Sequence, residues 1–209
     1  MTWPIAATDH ASTQNFPGQL DYYTFREMAA SKRPIPGHTY TNHEEDIYVG
    51  YRYFDSFGRK VAYPFGFGLS YTTFEYSKPV VKLNGDKVNV SINVKNSGSM
   101  SGKEVAQVYI AAPAGKLEKP AKELKAFAKT RDLKPGESQT LNMTIAVRDL
   151  ASFDEAGSQW LAEAGTYYVM IGANVADIRA TTQFKLAKEY TEKTSNALKP
   201  QQKLNLLKQ

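Results

Sequence analysis

The sequence predicts an all-β fold, with an antiparallel sandwich of two sheets over about residues 71–187. Apolar side chains alternate with polar ones in several short segments of this span, which is the period of a strand buried on one face. Turn signals separate the segments, and no helix-period stretches alternate with them, which disfavours a doubly wound α/β fold. About seven short strands of this kind are typical of an immunoglobulin or fibronectin type III sandwich.

The predicted strands, in chain order, are residues 74–83, 88–94, 105–110, 124–127, 141–147, 167–171 and 182–186. The alternation is cleanest in residues 88–94 and 141–147, where every second residue is a large apolar one. Asn84-Gly85-Asp86 predicts a tight turn before the second strand. Residues 124–127 are too few for a central strand, and we expect them at an edge of a sheet.

The first seventy residues do not show the pattern of an independent domain. Recurrent Pro and Gly break the periodicity that a long helix requires, and only residues 22–32 look helical. Residues 47–54 are rich in strand formers, but an isolated strand cannot bury its faces. We therefore predict an extended arm over 1–70 that needs a partner surface, the sandwich over 71–187, and a basic C-terminal tail over 188–209.

Composition excludes several classes of function. Cysteine is absent, which excludes disulfides, thiolate catalysis and Cys-based metal sites. No run of about 18 apolar residues is present, so the sequence predicts no transmembrane helix and no membrane partner. The N-terminal residues show no basic region followed by an apolar one, so no secretory signal is predicted. The net charge of +5 comes from isolated Lys mixed with Glu rather than from an Arg cluster, so we expect no nucleic-acid partner.

Side chains that could bind a metal or a cofactor do not form a recognisable motif. His38 and the run His43-Glu44-Glu45 have no helical i, i+4 spacing, so no metal site is predicted. The sequence has no Gly-x-Ser-x-Gly motif and no phosphate-binding glycine loop, since Gly66-Phe67-Gly68 follows a proline and lacks a βαβ setting. We expect no cofactor and no nucleophilic site.

Carboxylates occur as sequence neighbours, in Glu44-Glu45-Asp46 and in Asp154-Glu155. Adjacent acids rarely converge on a substrate as an acid/base pair, so we expect solvated or structural roles for them and predict no catalytic residue. Asn89 and Asn142 match the N-glycosylation pattern, which is common by chance, and both should face outward from strands.

Two stretches are more specific than these motifs, residues 45–55 (EDIYVGYRYFD) and residues 62–74 (AYPFGFGLSYTTF). Shorter matches follow in order at residues 102–109, 122–127, 133–137, 148–150, 165–167, 171–173 and 177–179. Together they resemble glycoside hydrolase family 3, with its β-glucosidases and β-xylosidases. In that family the first run ends the α/β-sandwich domain and enters a C-terminal fibronectin type III-like domain. The resemblance spans about residue 40 to the end of the chain.

The resemblance implies a parent enzyme that hydrolyses O-glycosidic bonds by a retaining mechanism, with an Asp nucleophile from a barrel domain and a Glu acid/base from the second domain. Neither the Ser-Asp-Trp context of that nucleophile nor the Lys-His-Phe substrate-binding pattern occurs here. The chain is therefore interpreted as the non-catalytic C-terminal portion, inactive alone, which supports the catalytic domains. The resemblance also implies that the parent is periplasmic or secreted in a bacterium.

The partners expected on this interpretation are the missing catalytic domains and the carbohydrate substrate of the parent. Without those domains, the crowded aromatic side chains of the arm predict self-association or local disorder in residues 1–60. Two other classes of function stay open. A carbohydrate-binding module could stack sugars on Tyr109, Tyr168 or Trp160, and a protein-interaction β-sandwich module would use an exposed sheet face.

Overall fold

The computed structural model describes residues 1–6, 43–200 and 203–209. Its elements are β1 (Trp3–Pro4), α1 (Tyr51–Ser56), β2 (Val61–Tyr63), β3 (Phe74–Tyr76), β4 (Val80–Asn84), β5 (Lys87–Asn96), β6 (Val105–Ala111), β7 (Glu123–Lys129), β8 (Ser138–Ala146), a 3-10 turn (Val147–Leu150), β9 (Ser152–Asp154), β10 (Gln159–Ala162), β11 (Gly165–Gly172), β12 (Ile178–Leu186) and β13 (Tyr190–Lys193). The helix-like residues 22–32 lie outside the described part of the chain. Among the described helices, none has the length and apolar character needed to cross a membrane.

Two antiparallel sheets form the sandwich, which confirms the predicted fold class. One sheet has the order β12-β11-β6-β7, with β7 at its edge as expected, although β7 has seven residues and is longer than the predicted 124–127. In the other sheet β5 is central, with β8 on one side and with β3 and β4 following each other along its opposite side. Two smaller sheets accompany them, one formed by β1 and β2 and one with the order β13-β10-β9.

The core lies between the two large sheets and is filled by alternate residues of their strands. From β5 and β8 it takes Val88, Val90, Ile92, Val94, Leu141, Met143 and Ile145, and from the facing sheet Ala106, Val108, Ile110, Tyr167, Val169 and Ile171. The alternation confirms the strand assignments made from residues 88–94 and 141–147. Burying each of these large side chains contributes about 1.5–3 kcal/mol.

The strand boundaries differ from the predicted ones in three places. Residues 74–83 form two strands instead of one, and Pro79, which has no N–H to donate to a ladder, lies between them. The short strands β9 and β10 lack a period-two signal and were not predicted. The tail contains β13, which pairs with β10 from Gln159 opposite Lys193 to Ala162 opposite Tyr190.

Residues 47–54 are rich in strand formers but do not form a strand, because the chain forms helix α1 over Tyr51–Ser56 instead. Gly50 starts the helix with φ of 60°, a conformation that favours glycine. A strand would send neighbouring residues to opposite faces, whereas the helix brings Tyr53, Phe54 and Phe57 into one cluster. The Tyr53 and Phe57 ring centroids are 5.1 Å apart. Packing therefore overrides the strand propensity of the aromatic residues.

Asn96, at the end of β5, is a buried polar side chain whose hydrogen bonds are made within the protein. Its Oδ1 accepts from the Thr72 hydroxyl at 2.7 Å, and its Nδ2 donates to the carbonyls of Met100 and Leu133 at 2.7 and 2.8 Å. A buried amide without partners is costly, so these bonds stabilise the fold. They connect Thr72, which precedes β3, with the loops that contain Met100 and Leu133.

Asp154 ends β9 and holds the turn between β9 and β10. Its carboxylate accepts from Lys116 Nζ at 2.9 Å, from Gln159 Nε2 at 3.0 Å and from the Gly157 N–H at 3.2 Å. The hydrogen bonds from Lys116 and Gln159 lower the pKa of Asp154 from about 3.8 to about 2. The two neighbouring carboxylates therefore have different environments, since Asp154 is buried in the turn and Glu155 is exposed.

Asp154 is expected to make the stability of the fold depend on acid pH. The folded pKa lies below the unfolded value, so the contribution is complete above about pH 4 and is lost as pH falls towards about 2. Replacing Asp154 with Asn should lower stability at pH 6, and the difference from the wild type should shrink as pH falls to 2. Denaturant unfolding at a series of pH values measures this, with Glu155→Gln as the control. A difference that does not change with pH would contradict the assignment.

Candidate functional site

Strand β6 is buried on both of its faces. Val108 faces the core, while Gln107 and Tyr109 point to the opposite face and are also buried, with 7% and 0% exposure. The outer face of an antiparallel sandwich sheet usually meets water and carries polar residues. The burial of Gln107 and Tyr109 therefore indicates that another part of the protein covers this face.

The covering layer is formed by residues 43–70 of the predicted arm, which are called the arm segment. The Tyr51 ring of helix α1 lies with its centroid 4.7 Å from that of Phe65 and 6.1 Å from that of Tyr109. The Tyr51 hydroxyl also accepts a hydrogen bond from the Leu124 N–H at 2.8 Å. The aromatic residues of the arm thus find a partner surface on the sandwich of the same chain.

Gln107 connects this layer to the sheet through short hydrogen bonds. Its Nε2 donates to the Ala173 carbonyl at 2.6 Å, and its Oε1 accepts from the Tyr109 hydroxyl at 2.6 Å. Gly66 packs directly on this amide, since a Cβ at that position would lie 2.5 Å from Gln107 Nε2. Gly66 also has φ of +83°, so both its conformation and its lack of a side chain suit the contact.

Polar side chains of α1 bind the segment that leads into β7. Asp55 Oδ1 lies 2.8 Å from Lys122 Nζ, and Arg52 Nη1 lies 3.4 Å from Glu123 Oε1. The Ser56 hydroxyl accepts from the Ala121 N–H at 2.8 Å. The charged side chains of these contacts are 14–33% exposed, and the contacts fix where α1 lies along β7.

The arm segment and the C-terminal tail together form a second apolar cluster. Tyr48, Tyr53 and Phe54 are buried in it, and Leu207 from the C-terminal tail packs against them. The Tyr48 hydroxyl donates to Glu118 Oε1 at 2.5 Å, and burial raises the pKa of Tyr48, so the group stays a neutral donor. The same hydrogen bond lowers the pKa of Glu118.

Backbone contacts of residues 203–209 hold the end of the chain against this cluster. The Leu207 N–H donates to the Glu44 carbonyl at 2.7 Å, and the Gln209 N–H donates to Glu118 Oε1 at 3.1 Å. Glu44 Oε1 also accepts from the Asn205 N–H at 3.1 Å. The structure thus places Glu44, one of the carboxylates considered from sequence, in a contact between the tail and the arm segment.

The remaining acidic and histidine candidates do not converge on a site. His43 Nδ1 lies 3.0 Å from Glu45 Oε1 with the imidazole exposed, while Asp46 has φ of 50° and a pKa raised by burial. Within residues 1–6, 43–200 and 203–209, no three His, Asp or Glu side chains are grouped as metal ligands. His10 and His38 lie outside the described residues.

The residues considered for sugar stacking or glycosylation have different environments. Tyr109 is fully buried beneath Tyr51, so its assignment as a stacking residue is wrong. Tyr168 and Trp160 keep 47% and 42% of their surface exposed. Asn142 is exposed, whereas Asn89 is half-buried and accepts from the Thr144 hydroxyl at 3.0 Å.

Exposed apolar side chains lie on the arm segment and on residues next to it, in β1 and at Tyr71. Tyr63 and Phe67 form a ring pair with centroids 5.1 Å apart, and Trp3 of β1 pairs in register with Tyr63. Leu69 and Tyr71 continue the segment with more than 90% of their surface exposed. These five residues are called the aromatic rim below. Such a group of exposed apolar residues is typical of an interaction surface.

Gln107, Gly66, Glu118 and Leu207 were not identified from the sequence. A polar residue facing out of a strand, such as Gln107, is ordinarily solvated, so nothing in the local pattern marks it as buried. Gly66 lies in a turn closed by a hydrogen bond from the Phe67 N–H to the Pro64 carbonyl at 3.1 Å, but its contact with Gln107 depends on the folded arrangement.

Comparison with known proteins bears on the sandwich and on the arm segment. A family model described as a fibronectin type III-like domain matches residues 104–175. A β-glucosidase of Kluyveromyces marxianus is 39% identical over 191 residues, which cover 90% of this chain and 20% of that protein. β-Glucosidase A of Butyrivibrio fibrisolvens is 43% identical over 185 residues, covering 77% of this chain and 22% of that protein.

A solved structure of β-glucosidase 3B from Thermotoga neapolitana in complex with α-D-glucose superposes with a TM-score of 0.79. It is 46% identical, and the match covers 92% of this chain and 25% of that one. The chain therefore spans about a fifth to a quarter of the relatives that it matches. Because the match covers nearly the whole chain, the likeness includes parts beyond the sandwich.

The sheet order, the core and the matching family model define the protein class as a fibronectin type III-like β-sandwich domain. More particularly, the chain belongs to glycoside hydrolase family 3 and corresponds to the fibronectin type III-like part of the β-glucosidases that it matches.

The contact between Gly66 and Gln107 is expected to be sensitive to one methyl group. Gly66→Ala should destabilise the protein by about 1–3 kcal/mol more than Gly58→Ala, since the buried amide must shift and lose its short hydrogen bonds. Gly58 is the matched control because it also has positive φ, at +58°, but has open space around its Cβ position. Denaturant unfolding of both variants measures the difference, and equal losses would show that Gln107 adjusts freely.

The tail is expected to stabilise the arm segment through Leu207. Leu207→Ala should cost about 1–2 kcal/mol and increase protease cleavage within residues 43–60, because it removes apolar contacts with a buried cluster. Leu198→Ala is the control, since Leu198 is 94% exposed. Limited proteolysis followed by mass spectrometry tests the expectation. Cleavage that is the same in both variants would mean that the tail does not protect the arm.

Proposed function

We propose that this chain is the non-catalytic structural portion of a retaining β-glucosidase and supports the catalytic domains of that enzyme. The observation that carries the proposal is the two-sided arm segment. One side seals the outer face of β6 through Tyr51 and Phe65, and the other side presents the aromatic rim. The catalytic domains of the parent are the proposed occupant of that rim, and the parent's substrate is a β-glucoside.

The comparisons support this choice of occupant. The relatives that match are β-glucosidases four to five times longer than the matched part, so most of each relative lies outside it. The retaining mechanism needs two carboxyl groups that converge on the glycosidic bond. Here Glu44 and Asp154 make structural hydrogen bonds, with the tail and within a turn. The hydrolytic chemistry is therefore assigned to the absent domains.

The first test concerns activity. The purified 209-residue chain should give no saturable hydrolysis of 4-nitrophenyl β-glucoside or of the corresponding β-xyloside. The proposal would be overturned by enzyme-like turnover that is abolished by replacing Glu44, Glu45 or Asp154. The wild-type chain at several concentrations, with a full-length β-glucosidase as the positive control, gives the comparison.

The second test concerns the aromatic rim. The part of Thermotoga neapolitana β-glucosidase 3B that this chain matches would be replaced by this chain, with either wild-type sequence or Tyr63→Ser and Phe67→Ser together. The double change should lower the stability of the isolated chain only modestly, since both residues are about half-exposed there. It should lower the melting temperature and the activity of the chimaera, where we propose that the rim is covered.

Phe127→Ser is the matched control for the second test, because Phe127 is 69% exposed on the edge strand β7 and is not part of the rim. If the rim and control variants lower the stability of the chimaera equally, the proposed interface is wrong. Self-association through the arm is the competing occupant of the same surface. A dimer of the isolated chain in sedimentation velocity that dissociates on the rim substitutions would support that alternative.

A further inference from the structure

A shallow cleft of about 440 Å³ lies between the start of β7, the 3-10 turn after β8 and the small sheet of β9, β10 and β13. The polar and aromatic side chains in its lining are Lys125, Arg148, Asp149, Trp160 and Glu192. The cleft does not include any residue of the aromatic rim. It is therefore a separate feature from the surface assigned to the catalytic domains.

Trp160 lies in a row across the small sheet, with Phe153 opposite it on β9 and Glu192 opposite it on β13. The Phe153 and Trp160 rings meet edge to face, with centroids 5.6 Å apart and planes at 60°. This contact restrains the indole, while 42% of Trp160 stays exposed. An oriented and partly exposed indole offers a flat apolar surface with little conformational entropy left to lose.

The charges around the indole cancel. Arg148 Nη2 lies 3.3 Å from Glu192 Oε1, and Lys125 Nζ lies 3.2 Å from Glu123 Oε2. The cleft itself is lined by two cationic and two anionic side chains, Lys125 and Arg148 with Asp149 and Glu192. Such a lining offers both donors and acceptors without a net field, so it does not favour an anionic or a cationic ligand.

We propose that this cleft binds a neutral carbohydrate, with the C–H face of one pyranose ring on Trp160 and its hydroxyls hydrogen-bonded to Arg148, Asp149 and Glu192. A pyranose combines an apolar face with a rim of groups that both donate and accept, which matches an indole beside paired opposite charges. A few polar groups around an apolar surface are typical of small-ligand sites. The proposal does not depend on the activity of a parent enzyme.

The other exposed aromatic residues fit this ligand less well. Phe127 lines a groove of about 450 Å³ that has Lys125 as its charged residue and therefore lacks the paired charges. Tyr168 is exposed on the outer face of β11 but does not line either of these two clefts. Phe127 is a useful control for the same reason, since it tests whether any exposed aromatic side chain would bind a sugar.

The experiment uses the full 209-residue chain with Trp3→Phe, which leaves Trp160 as the single indole. Cellotriose and laminaritriose should produce a saturable change in its fluorescence, with dissociation constants in the range of about 1–10 mM. Trigalacturonic acid and the chitosan trimer, which carry negative and positive charge, should bind at least tenfold more weakly. Ligand-observed NMR gives the same comparison for variants that lack the indole.

Trp160→Ala should weaken binding of the neutral trimers at least tenfold, Trp160→Phe should restore part of it, and Phe127→Ala should leave it unchanged. Arg148→Gln, at an exposed position, gives the cleft a net negative charge and should improve binding of the chitosan trimer relative to cellotriose. Thermal unfolding of each variant establishes that it is folded. The proposal is overturned if the neutral trimers do not bind at about 20 mM. It is also overturned if Trp160→Ala binds them as tightly as the chain with Trp160 does, or if the charged trimers bind as tightly as the neutral ones.

Discussion

The architecture depends on the burial of β6 on both faces. One face supplies Val108 to the core between the sheets, and the other lies beneath the arm segment, where Gln107 and Tyr109 are withdrawn from water. A buried amide and a buried hydroxyl are tolerated only when hydrogen-bonded. The bonds among Tyr109, Gln107 and the Ala173 carbonyl meet that requirement, so the arm segment has a specific position on the sheet.

Close packing and polar contacts both hold the arm segment on the sandwich. Gly66 allows the backbone to approach the Gln107 amide, and the Tyr51 and Phe65 rings complete the apolar layer. The ion pairs of α1 with the start of β7 are partly solvated, so they orient the helix more than they stabilise it. The tail adds a further contact from the opposite end of the chain, through Leu207 and Glu118.

The proposed role of the sandwich as a support for other domains has a physical basis in this arrangement. The fibronectin type III-like core is complete without them, because its two sheets bury each other's apolar faces. The arm segment is the layer between that core and the surface that carries Tyr63 and Phe67. A domain bound at the aromatic rim, as proposed, would be connected to the core through this packed layer. The cleft at Trp160 lies apart from this route and is free to have a role of its own.

The sequence alone determined the fold class and most strands of the sandwich, because period-two alternation directly reflects which face of a strand meets the core. It also carried the family resemblance and the need of the arm for a partner surface. It did not reveal that the partner is β6, that residues 51–56 form a helix, or that Tyr109 is buried. Those outcomes depend on contacts between residues far apart in the chain, such as Tyr51 with Tyr109 and Leu207 with the Tyr48 cluster. Local propensity and periodicity do not encode such contacts, and the free energy of burying aromatic rings there exceeds the small preferences that the local sequence expresses.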